Sequence, residues 1–413
     1  MNQKQRYILL VFSIVVILHI VFVHTHEEYG HAFSISNVVS RVKGNHSEQA
    51  AMAITITNPT TGTVPIATAT STSGSILAPE ITADTTSTPP PLATSEESNY
   101  RSANATFVML ARNNEIEGVI QSISEVELRF NKKFRYPYVF LNDEPFSEEF
   151  KSRVSELTKA KIEFGLIPGE DWHQPDWIDE DLAKQGRDKL VADDVIYGGS
   201  VSYRNMCRFN SGFFFNQKLL QKYRWYWRVE PSVHFYCNVD NDPFLYMEQH
   251  NKTYGFTISL FEFEKTIPTL WGHVKDFMLQ HPEYVARDNS MGFLSEDGGE
   301  NYNLCHFWSN FEIADMDFWR GTAYTKFFEY LDSQGGFYYE RWGDAPVHSI
   351  AAALLLPKDK IHFFKEIGYF HHPFTHCPSG KLYLDGKCSC QIGLNFDYQG
   401  YSCLRKWDRI YLT

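Results

Sequence analysis

The stretch NATFVMLARNNEIEGVIQSISEVELRFNKKFRYPYVFLND, residues 104–143, decides the predicted fold. Its first eight residues form a short, mostly apolar run with β-branched members, which is typical of a buried strand. Apolar residues then recur at helical spacing from Ile116 to Phe130, and a second apolar run ends at Asp143. A strand, a helix and a strand in that order favour a parallel pair with a right-handed crossover, and hence an α/β sheet.

The same alternation of strands and helices continues toward the C-terminus. Residues 215–227 (FNQKLLQKYRWYW) and 344–357 (DAPVHSIAAALLLP) are predicted helices, the second with Asp344 at its cap, and residues 360–372 are a predicted late strand. Ligands of such sheets bind at the carboxyl ends of the strands. The residues that follow the first strand, 111–113, are therefore expected at the ligand-facing edge.

The N-terminus predicts a membrane anchor. Residues 1–6 carry two cations and form a short cytoplasmic tail, and residues 7–23 are mostly apolar. A helix needs roughly 17 to 25 such residues to cross a bilayer. A cleaved signal peptide is the alternative, but no small-residue cleavage site follows Val23. We therefore expect an uncleaved transmembrane signal-anchor that places the rest of the chain in the lumen.

A stem and a globular head follow this anchor. Residues 24–103 are rich in Thr, Ser, Ala and Pro and almost lack aromatic residues, so they cannot bury enough apolar surface to fold and predict a disordered stem. Residues 104–413 form the predicted lumenal head. The N-x-S/T sequons at Asn45, Asn104 and Asn251 are candidate N-glycosylation sites and fit a lumenal location.

The cysteines indicate an oxidising compartment, because all seven lie beyond the stem. The candidates for disulfide bonds lie in a Cys-rich C-terminal segment, 377–403: Cys377, Cys388, Cys390 and Cys403. Cys388 and Cys390 are too close in sequence to bond to each other comfortably, so each is expected to pair outward, with the connectivity open. Zinc bound by this C-x-C pattern and nearby histidines is the alternative. Of the other three cysteines, at least one must be unpaired or paired elsewhere.

Two acidic features stand close together in the stretch YWRVEPSVHFYCNVDND, residues 226–242. Asp240 and Asp242 resemble a metal-holding triplet, but a helix start explains them fully. Glu230 lies in an apolar segment beside Pro231, which belongs at a strand end or sheet edge. Glu230 is therefore expected near the rim of the sheet, where ligands bind.

Glu312 is the second carboxylate that lies among aromatic residues, in NYNLCHFWSNFEIADMDFWR (301–320). A carboxylate in such surroundings is costly unless it is paired, and a buried one is often functional. Carboxylates, histidines and many aromatic rings suit a sugar site, whereas the net charge of −12 disfavours nucleic acid as a partner. The residues alone indicate a lumenal carbohydrate-active or carbohydrate-binding domain.

Long ungapped motifs across the head resemble the fungal α-1,2-mannosyltransferase family, glycosyltransferase family 15. They are LARNNE, YPYVFLNDEPF, YRNMCRFNSGFFF, YWRVEPSVHFYC, TIPTLW, YNLCHFWSNFEIADMDFWR, GGFYYERWGDAPVHSIAAALLLPKDKIHFF and IGYFHHP. The resemblance implies a mixed sheet of the GT-A-like type flanked by helices, in a single-pass type II protein of the Golgi membrane. It also implies transfer of mannose from GDP-mannose with retention, using Mn²⁺.

The resemblance assigns roles to particular residues. It makes Glu230 and His371 the metal ligands, with Ser232 where some relatives carry an acidic residue. Glu312 matches the carboxylate proposed as nucleophile or stabilising group. The remaining matches are active-site residues and residues that bind the donor nucleotide: Tyr203, Asp344, Arg112 and Arg228.

The function that follows from the resemblance is α-1,2-mannosyl transfer to the 2-hydroxyl of a mannose-terminated glycan, in protein O- or N-glycosylation and cell-wall mannan synthesis. Its implied partners are GDP-mannose, the glycan acceptor, the membrane and complexes with other Golgi enzymes. The alternatives are a mannoside hydrolase, which needs neither metal nor nucleotide, and a stalked glycan-binding protein, which does not consume GDP-mannose.

Overall fold

The computed structural model describes residues 101–411, and a seven-stranded mixed β-sheet lies at its centre. The strands, including those of two smaller sheets, are β1 Ala105–Leu110, β2 Tyr138–Asn142, β3 Ile162–Leu166, β4 Trp225–Arg228, β5 His234–Phe235, β6 Tyr254–Phe256, β7 Ser259–Phe261, β8 Cys305–Phe307, β9 Glu312–Asp315, β10 Ile361–Phe363, β11 Tyr369–His371 and β12 Phe374–His376. In the large sheet they are ordered β10-β6-β9-β4-β1-β2-β3.

Helices cover both faces of this sheet. They are α1 Ile116–Val126, α2 Lys132–Phe134, α3 Glu148–Ser155, α4 Gly169–Trp172, α5 Glu180–Ala192, α6 Val201–Gly212, α7 Pro243–Gln249, α8 Leu270–Gln280, α9 Met291–Leu294, α10 Met316–Arg320, α11 Thr322–Ser333, α12 Gly336–Tyr339, α13 Asp344–Leu355, α14 Gly380–Asp385 and α15 Leu404–Arg409. A π-helical turn, Glu127–Asn131, extends α1.

The strand directions confirm the predicted α/β sheet and add one reversal. β1 pairs in parallel with β2 and with β4, and β2 pairs in parallel with β3. β9 runs antiparallel between β4 and β6. The sheet is therefore mixed, and the first residue of β9 lies at the same edge as the last residues of β1, β2 and β4.

Alternating side chains of the strands build a separate core on each face of the sheet. Phe107, Trp227 and Ile313 pack on the face that α1, α3 and α7 cover. Val108 and Tyr226 point the other way and pack against α6, α8 and α11, as well as α13. Of the residues in α13 only Leu355 is not buried, which accounts for its almost uninterrupted apolar sequence.

Three local predictions were wrong. Residues 215–227 are not a helix: Phe214–Asn216 and Lys218–Leu220 are separate 3-10 turns, and Trp225–Arg228 form β4, because aromatic residues suit a strand that pairs on both sides. The predicted late strand is divided between β10 and β11, which belong to different sheets and are separated by a turn. Asp344 is the first helical residue of α13 and not its cap, which is Gly343.

The acidic triplet begins a helix, as predicted. The Asp242 carboxylate accepts hydrogen bonds from the backbone N–H groups of Phe244 and Leu245, and Pro243 occupies the first turn of α7. Asp240 is exposed. Capping of α7 therefore accounts for the acidic triplet, and no metal is needed to explain it.

The disulfides connect the C-terminal segment to the body of the domain. Cys377 bonds to Cys390 within the segment, but Cys388 bonds to Cys237 and Cys403 bonds to Cys305. Cys207 is buried and unpaired. All four candidate cysteines are thus in disulfides, which leaves none as a thiolate for zinc, and two of the bonds reach outside the segment.

The predicted tail, signal-anchor, nearly all of the stem and the Asn45 sequon lie outside the described residues. Between residues 101 and 411, no helix has the length and apolar character needed to cross a membrane. Asn104 and Asn251, the other two sequon residues, are both exposed.

Candidate active site

Glu312 and Arg228 bring the functional side chains together at one edge of the large sheet. Because β9 is antiparallel to β4, its first residue, Glu312, pairs directly with Arg228, the last residue of β4. Directly opposed residues project from the same face of a sheet. The reversal of one strand thus places a carboxylate beside a guanidinium where a fully parallel sheet would have separated them.

Glu312 is completely buried and held by three side chains. Tyr226 donates its hydroxyl to Oε2 at 2.8 Å, and Tyr254 donates to Oε1 at 2.9 Å. His348 Nδ1 lies 2.8 Å from Oε1. Burial, reinforced by the charge of Glu312, raises the pKa of both tyrosines well above the usual value, so they remain neutral donors. The carboxylate is therefore fixed in one orientation.

Arg228 links two further carboxylates. Its Nε and Nη2 donate to Glu230 Oε1 at 3.1 and 2.5 Å, and its Nη1 donates to Asp344 Oδ2 at 2.6 Å. Ser309 also donates to that Asp344 oxygen, at 2.8 Å. Burial alone would lower the pKa of Arg228, but the charges of Asp344 and Glu230 raise it well above its usual value. Arg228 is therefore a permanent cation in this cluster.

Glu230 and His371 face each other across this cluster, with Glu230 Oε2 3.4 Å from His371 Nε2. Oε2 is the carboxylate oxygen that Arg228 leaves free. Burial would raise the pKa of Glu230, but Arg228 and His371 more than offset it and lower the pKa to about 2. For His371, burial would lower the pKa, but its contact with Glu230 raises it.

The same pair offers the donor atoms of a divalent-cation site. His371 Nδ1 lies 3.0 Å from the carbonyl oxygen of His372, which orients the ring with Nε2 toward Glu230. A carboxylate oxygen and an imidazole nitrogen are ligands that first-row divalent ions accept. Within residues 101–411 no group of three or more His, Cys, Asp or Glu side chains is arranged around one metal position. An ion held here would need its other ligands from a bound molecule.

Two cavities open at this edge, and Arg228 and Leu110 line both. The Glu312 cavity is lined by Val108, Leu110, Leu141, Phe209, Asn210, Phe214, Tyr226, Arg228 and Glu312. The Glu230 cavity is lined by Leu110, Ala111, Arg112, Glu115, Asn142, Asp143, Trp172, Met206, Arg228, Glu230 and Pro231. The two carboxylates identified from the sequence therefore serve different cavities that share one arginine.

The other predicted site residues, Arg112, Tyr203 and Ser232, differ in whether they line one of the two cavities. Arg112 lines the Glu230 cavity, is exposed, and donates to Ser202 Oγ at 2.5 Å. Tyr203 lines neither cavity; its ring stacks on Tyr197 at 4.5 Å, and the Arg341 guanidinium lies 5.1 Å from its centre. Ser232 is exposed and in the left-handed region, with φ of 63°.

The groups around Glu312 were the part that sequence reasoning missed. Tyr226 and Tyr254 come from strands far apart in sequence and meet Glu312 only because β4 and β6 both flank β9. Asp344 and His348 lie four residues apart on α13, and this spacing could have indicated one shared face. That face presents Asp344 to Arg228 and His348 to Glu312.

The arrangement suits cleavage of a ligand in which one part develops positive charge while the other leaves as an anion. The Glu312 cavity offers a fixed carboxylate that can stabilise a developing cation. The Glu230 cavity offers Arg112, Arg228 and the candidate site for a divalent cation. Together these positive charges can hold an anion. One bound molecule that spans the two cavities could be cleaved between its cationic and anionic parts.

The comparisons with known proteins agree with this geometry. A family model described as glycolipid 2-alpha-mannosyltransferase matches residues 68–411. Glycolipid 2-alpha-mannosyltransferase 2 of Candida albicans is 55% identical over 304 residues, which are 73% of this chain and 66% of that protein. The matched segment thus spans slightly less than two thirds of that relative's length.

Solved structures share the fold. Core-mannan synthase A of Aspergillus fumigatus, in an Mn/GDP form, is 43% identical with a TM-score of 0.71, over 76% of this chain and 86% of that one. The mannosyltransferase Ktr4p of Saccharomyces cerevisiae in complex with GDP is 41% identical with a TM-score of 0.72, over 75% of this chain and 82% of that one.

Proposed function

The chain belongs to the glycolipid 2-alpha-mannosyltransferase family, and on that premise we propose that it is a retaining α-1,2-mannosyltransferase. It takes mannose from GDP-mannose and attaches it to the 2-hydroxyl of a mannose-terminated glycan. The relatives named glycolipid 2-alpha-mannosyltransferase and the structures that hold GDP support the donor and the linkage.

The observation that carries the proposal is the buried Glu312 carboxylate in the wall of a cavity. As the bond between the anomeric carbon and GDP breaks, positive charge develops on the sugar ring. Glu312 can stabilise that charge or trap the sugar, because its orientation is fixed before the reaction.

The residues of the neighbouring cavity suit the diphosphate of the donor. Glu230 Oε2 and His371 Nε2 would hold Mn²⁺, and Arg112 and Arg228 would face the nucleotide. When bound, such an ion neutralises charge on the leaving GDP. Arg228 lines both cavities, so it would lie between the reacting sugar and the leaving GDP.

Asp344 and Tyr203 are proposed to act on the acceptor side of the site. Asp344 is buried and accepts hydrogen bonds from Arg228 and Ser309, which supports a role in shaping the Glu312 cavity. The exposed face of the Tyr197–Tyr203 stack suits a sugar ring, because aromatic faces pack against pyranoses. These two roles rest on the family resemblance and on position.

The test is to incubate the purified protein with GDP-mannose, Mn²⁺ and a panel of mannosides, and to read the product linkage by NMR. An α-1,2-linked product confirms the proposal. Hydrolysis of a mannoside without Mn²⁺ would indicate a glycosidase. Glycan binding without consumption of GDP-mannose would indicate a lectin-like role.

The cellular setting is part of the same proposal. Residues 7–23 would anchor the protein in the Golgi membrane, residues 24–103 would form the stem, and the head would face the lumen. Disulfides in the head support an oxidising compartment, and the exposed sequons Asn104 and Asn251 support access to the glycosylation machinery. Complexes with other Golgi enzymes are a further expectation.

A further inference from the structure

His348 lies between two hydrogen-bond acceptors. It is completely buried on α13, with Nδ1 2.8 Å from Glu312 Oε1 and Nε2 3.0 Å from the backbone carbonyl oxygen of Asn210. A carbonyl oxygen can only accept, so Nε2 carries a proton. The 2.8 Å contact on the other side then needs a second proton, shared between Nδ1 and Oε1. Without it, two lone pairs would face each other in a buried space.

The hydrogen bonds of Glu312 show which oxygen remains available. Oε1 faces both Tyr254 and His348, which together use its two lone-pair positions. Oε2 accepts from Tyr226 and has one position left. Glu312 lines the cavity, so this remaining position of Oε2 is the one that can meet a sugar.

The neighbouring groups favour the shared proton on the histidine. Tyr226 and Tyr254 both donate to the Glu312 carboxylate, which stabilises its ionised form. Arg228 is directly opposite in the sheet and adds a positive charge, while Asp344, four residues from His348, is already paired with that arginine. On its other sides His348 meets the ring of Trp319, stacked at 4.2 Å, and the rings of Phe214 and Tyr324. The Tyr324 hydroxyl donates away from it, to the Ser211 carbonyl.

We propose that His348 is a positioning residue that carries the shared proton as an imidazolium and holds Glu312 ionised, with Oε2 directed at the reacting sugar. The proposal rests on the mannosyl transfer proposed above, because only that reaction gives Oε2 a target. The buried unit of His348 and Glu312 then has no net charge. A buried ion pair of this kind avoids the cost of an isolated carboxylate next to the substrate.

The proposal predicts that turnover needs the positive charge of His348 and not only its hydrogen bond. In His348→Asn the amide can still donate to Glu312, but it carries no charge. The variant therefore keeps a donor next to Glu312 and loses the cation that holds the carboxylate ionised. We expect kcat to fall while binding of the substrate is kept.

The experiment compares kcat, KM for GDP-mannose and the affinity for GDP of the wild type, His348→Asn and His376→Asn. His376 is a matched control: it is buried between the Asp397 carboxylate, at 2.9 Å, and the Lys365 carbonyl, at 3.2 Å, and lines neither cavity. For His348→Asn we expect kcat to fall by about tenfold or more near neutral pH. KM for GDP-mannose and the affinity for GDP should both stay within about twofold of the wild type. A rise in KM that accounts for the whole loss of activity, or an equal fall of kcat in His376→Asn, would overturn the proposal.

A measurement on the wild type keeps the proposal testable if His348→Asn fails to fold. In ¹⁵N-histidine NMR spectra at pH 7, both ring nitrogens of His348 should be protonated, and Glu312→Gln should convert the ring to a neutral form with the proton on Nε2. A neutral His348 in the wild type contradicts the proposal. The spectrum requires no turnover, so a wild type that transfers no mannose contradicts the proposed function and leaves this inference to the spectrum.

Discussion

Arg228 and Glu312 lie directly opposite each other on β4 and β9, and each belongs to a different set of contacts. Arg228 binds Glu230 and Asp344, whereas Glu312 binds Tyr226, Tyr254 and His348. The pair is thus the point where the Arg228 cluster, which contains the candidate cation ligand Glu230, meets a fixed carboxylate. Changes on one side of it should affect binding of the nucleotide, and changes on the other side should affect transfer of the sugar.

Replacement of Glu312 by Gln should stop mannosyl transfer. The change keeps the shape of the side chain but removes the charge that stabilises the developing cation, so we expect kcat to fall by at least about 100-fold. GDP binding in the presence of Mn²⁺, measured by calorimetry, should remain within about threefold, because the proposed nucleotide contacts line the Glu230 cavity. Glu329→Gln, a surface change in an exposed ion pair with Lys326, is the control. Turnover of Glu312→Gln at the wild-type rate would contradict its role.

Replacement of Glu230 by Gln should weaken the metal-dependent part of GDP binding. The amide keeps the size of the side chain but is a poorer ligand for a divalent ion, so the Kd for GDP in Mn²⁺ should rise by about 10 to 100-fold. Binding in EDTA should change little. Asp240→Asn tests the neighbouring triplet and should leave the Mn²⁺ titration unchanged, because Asp240 is exposed and lines neither cavity. The opposite pattern would move the metal site to the triplet.

Replacement of Arg228 by Met should destabilise the head. The change leaves two buried or half-buried carboxylates, Glu230 and Asp344, without their cation, which costs about 3 to 5 kcal/mol of unfolding free energy. Urea denaturation followed by tryptophan fluorescence measures this difference. Lys184→Gln breaks an exposed pair with Asp188 and should cost less than about 1 kcal/mol. Equal midpoints for the two variants would show that the Arg228 cluster contributes little to stability.

Removal of the Cys305–Cys403 disulfide should reduce stability more than removal of the free thiol. This bond closes a long loop, with 98 residues of sequence separation, and attaches the C-terminal segment beside β8. The double change Cys305→Ala and Cys403→Ala should cost about 2 to 5 kcal/mol in urea denaturation under oxidising conditions. Cys207→Ala is the control, since Cys207 is buried but unpaired. A larger loss in the control would mean that packing, and not the cross-link, dominates.

Deletion of residues 1–100 should leave a soluble head that folds and transfers mannose. Both cores and all three disulfides are made within residues 101–411. The thermal midpoint and kcat of this fragment should match those of the full chain in detergent. Failure of the fragment to fold would contradict the assignment of residues 24–103 as a stem.

Secondary structure was predictable from the sequence where the local pattern favours the same element that tertiary packing stabilises. The β1–α1–β2 unit follows from apolar periodicity, and the start of α7 follows from Asp242 and Pro243. Residues 215–227 were mispredicted as a helix because strand pairing with β1 and β9 outweighs their helical pattern. Pairing partners that lie more than 80 residues away leave no mark on a local pattern.

The amino-acid sequence alone identifies the carboxylates that are candidates for the site. Glu230 and Glu312 stand out as carboxylates among aromatic residues, where burial is costly without a partner. The motifs around them establish the family. Those properties depend on a side chain and its neighbours along the chain, so the amino-acid sequence is enough to identify them.

The contacts of those carboxylates become known only from the tertiary structure. The antiparallel direction of β9 sets Glu312 against Arg228, and the packing of α13 on the sheet sets His348 against Glu312. The proton between that histidine and that carboxylate follows from distances of 2.8 and 3.0 Å to two acceptors on different elements. Hydrogen-bond geometry depends on fractions of an ångström between parts of the chain that only folding brings together.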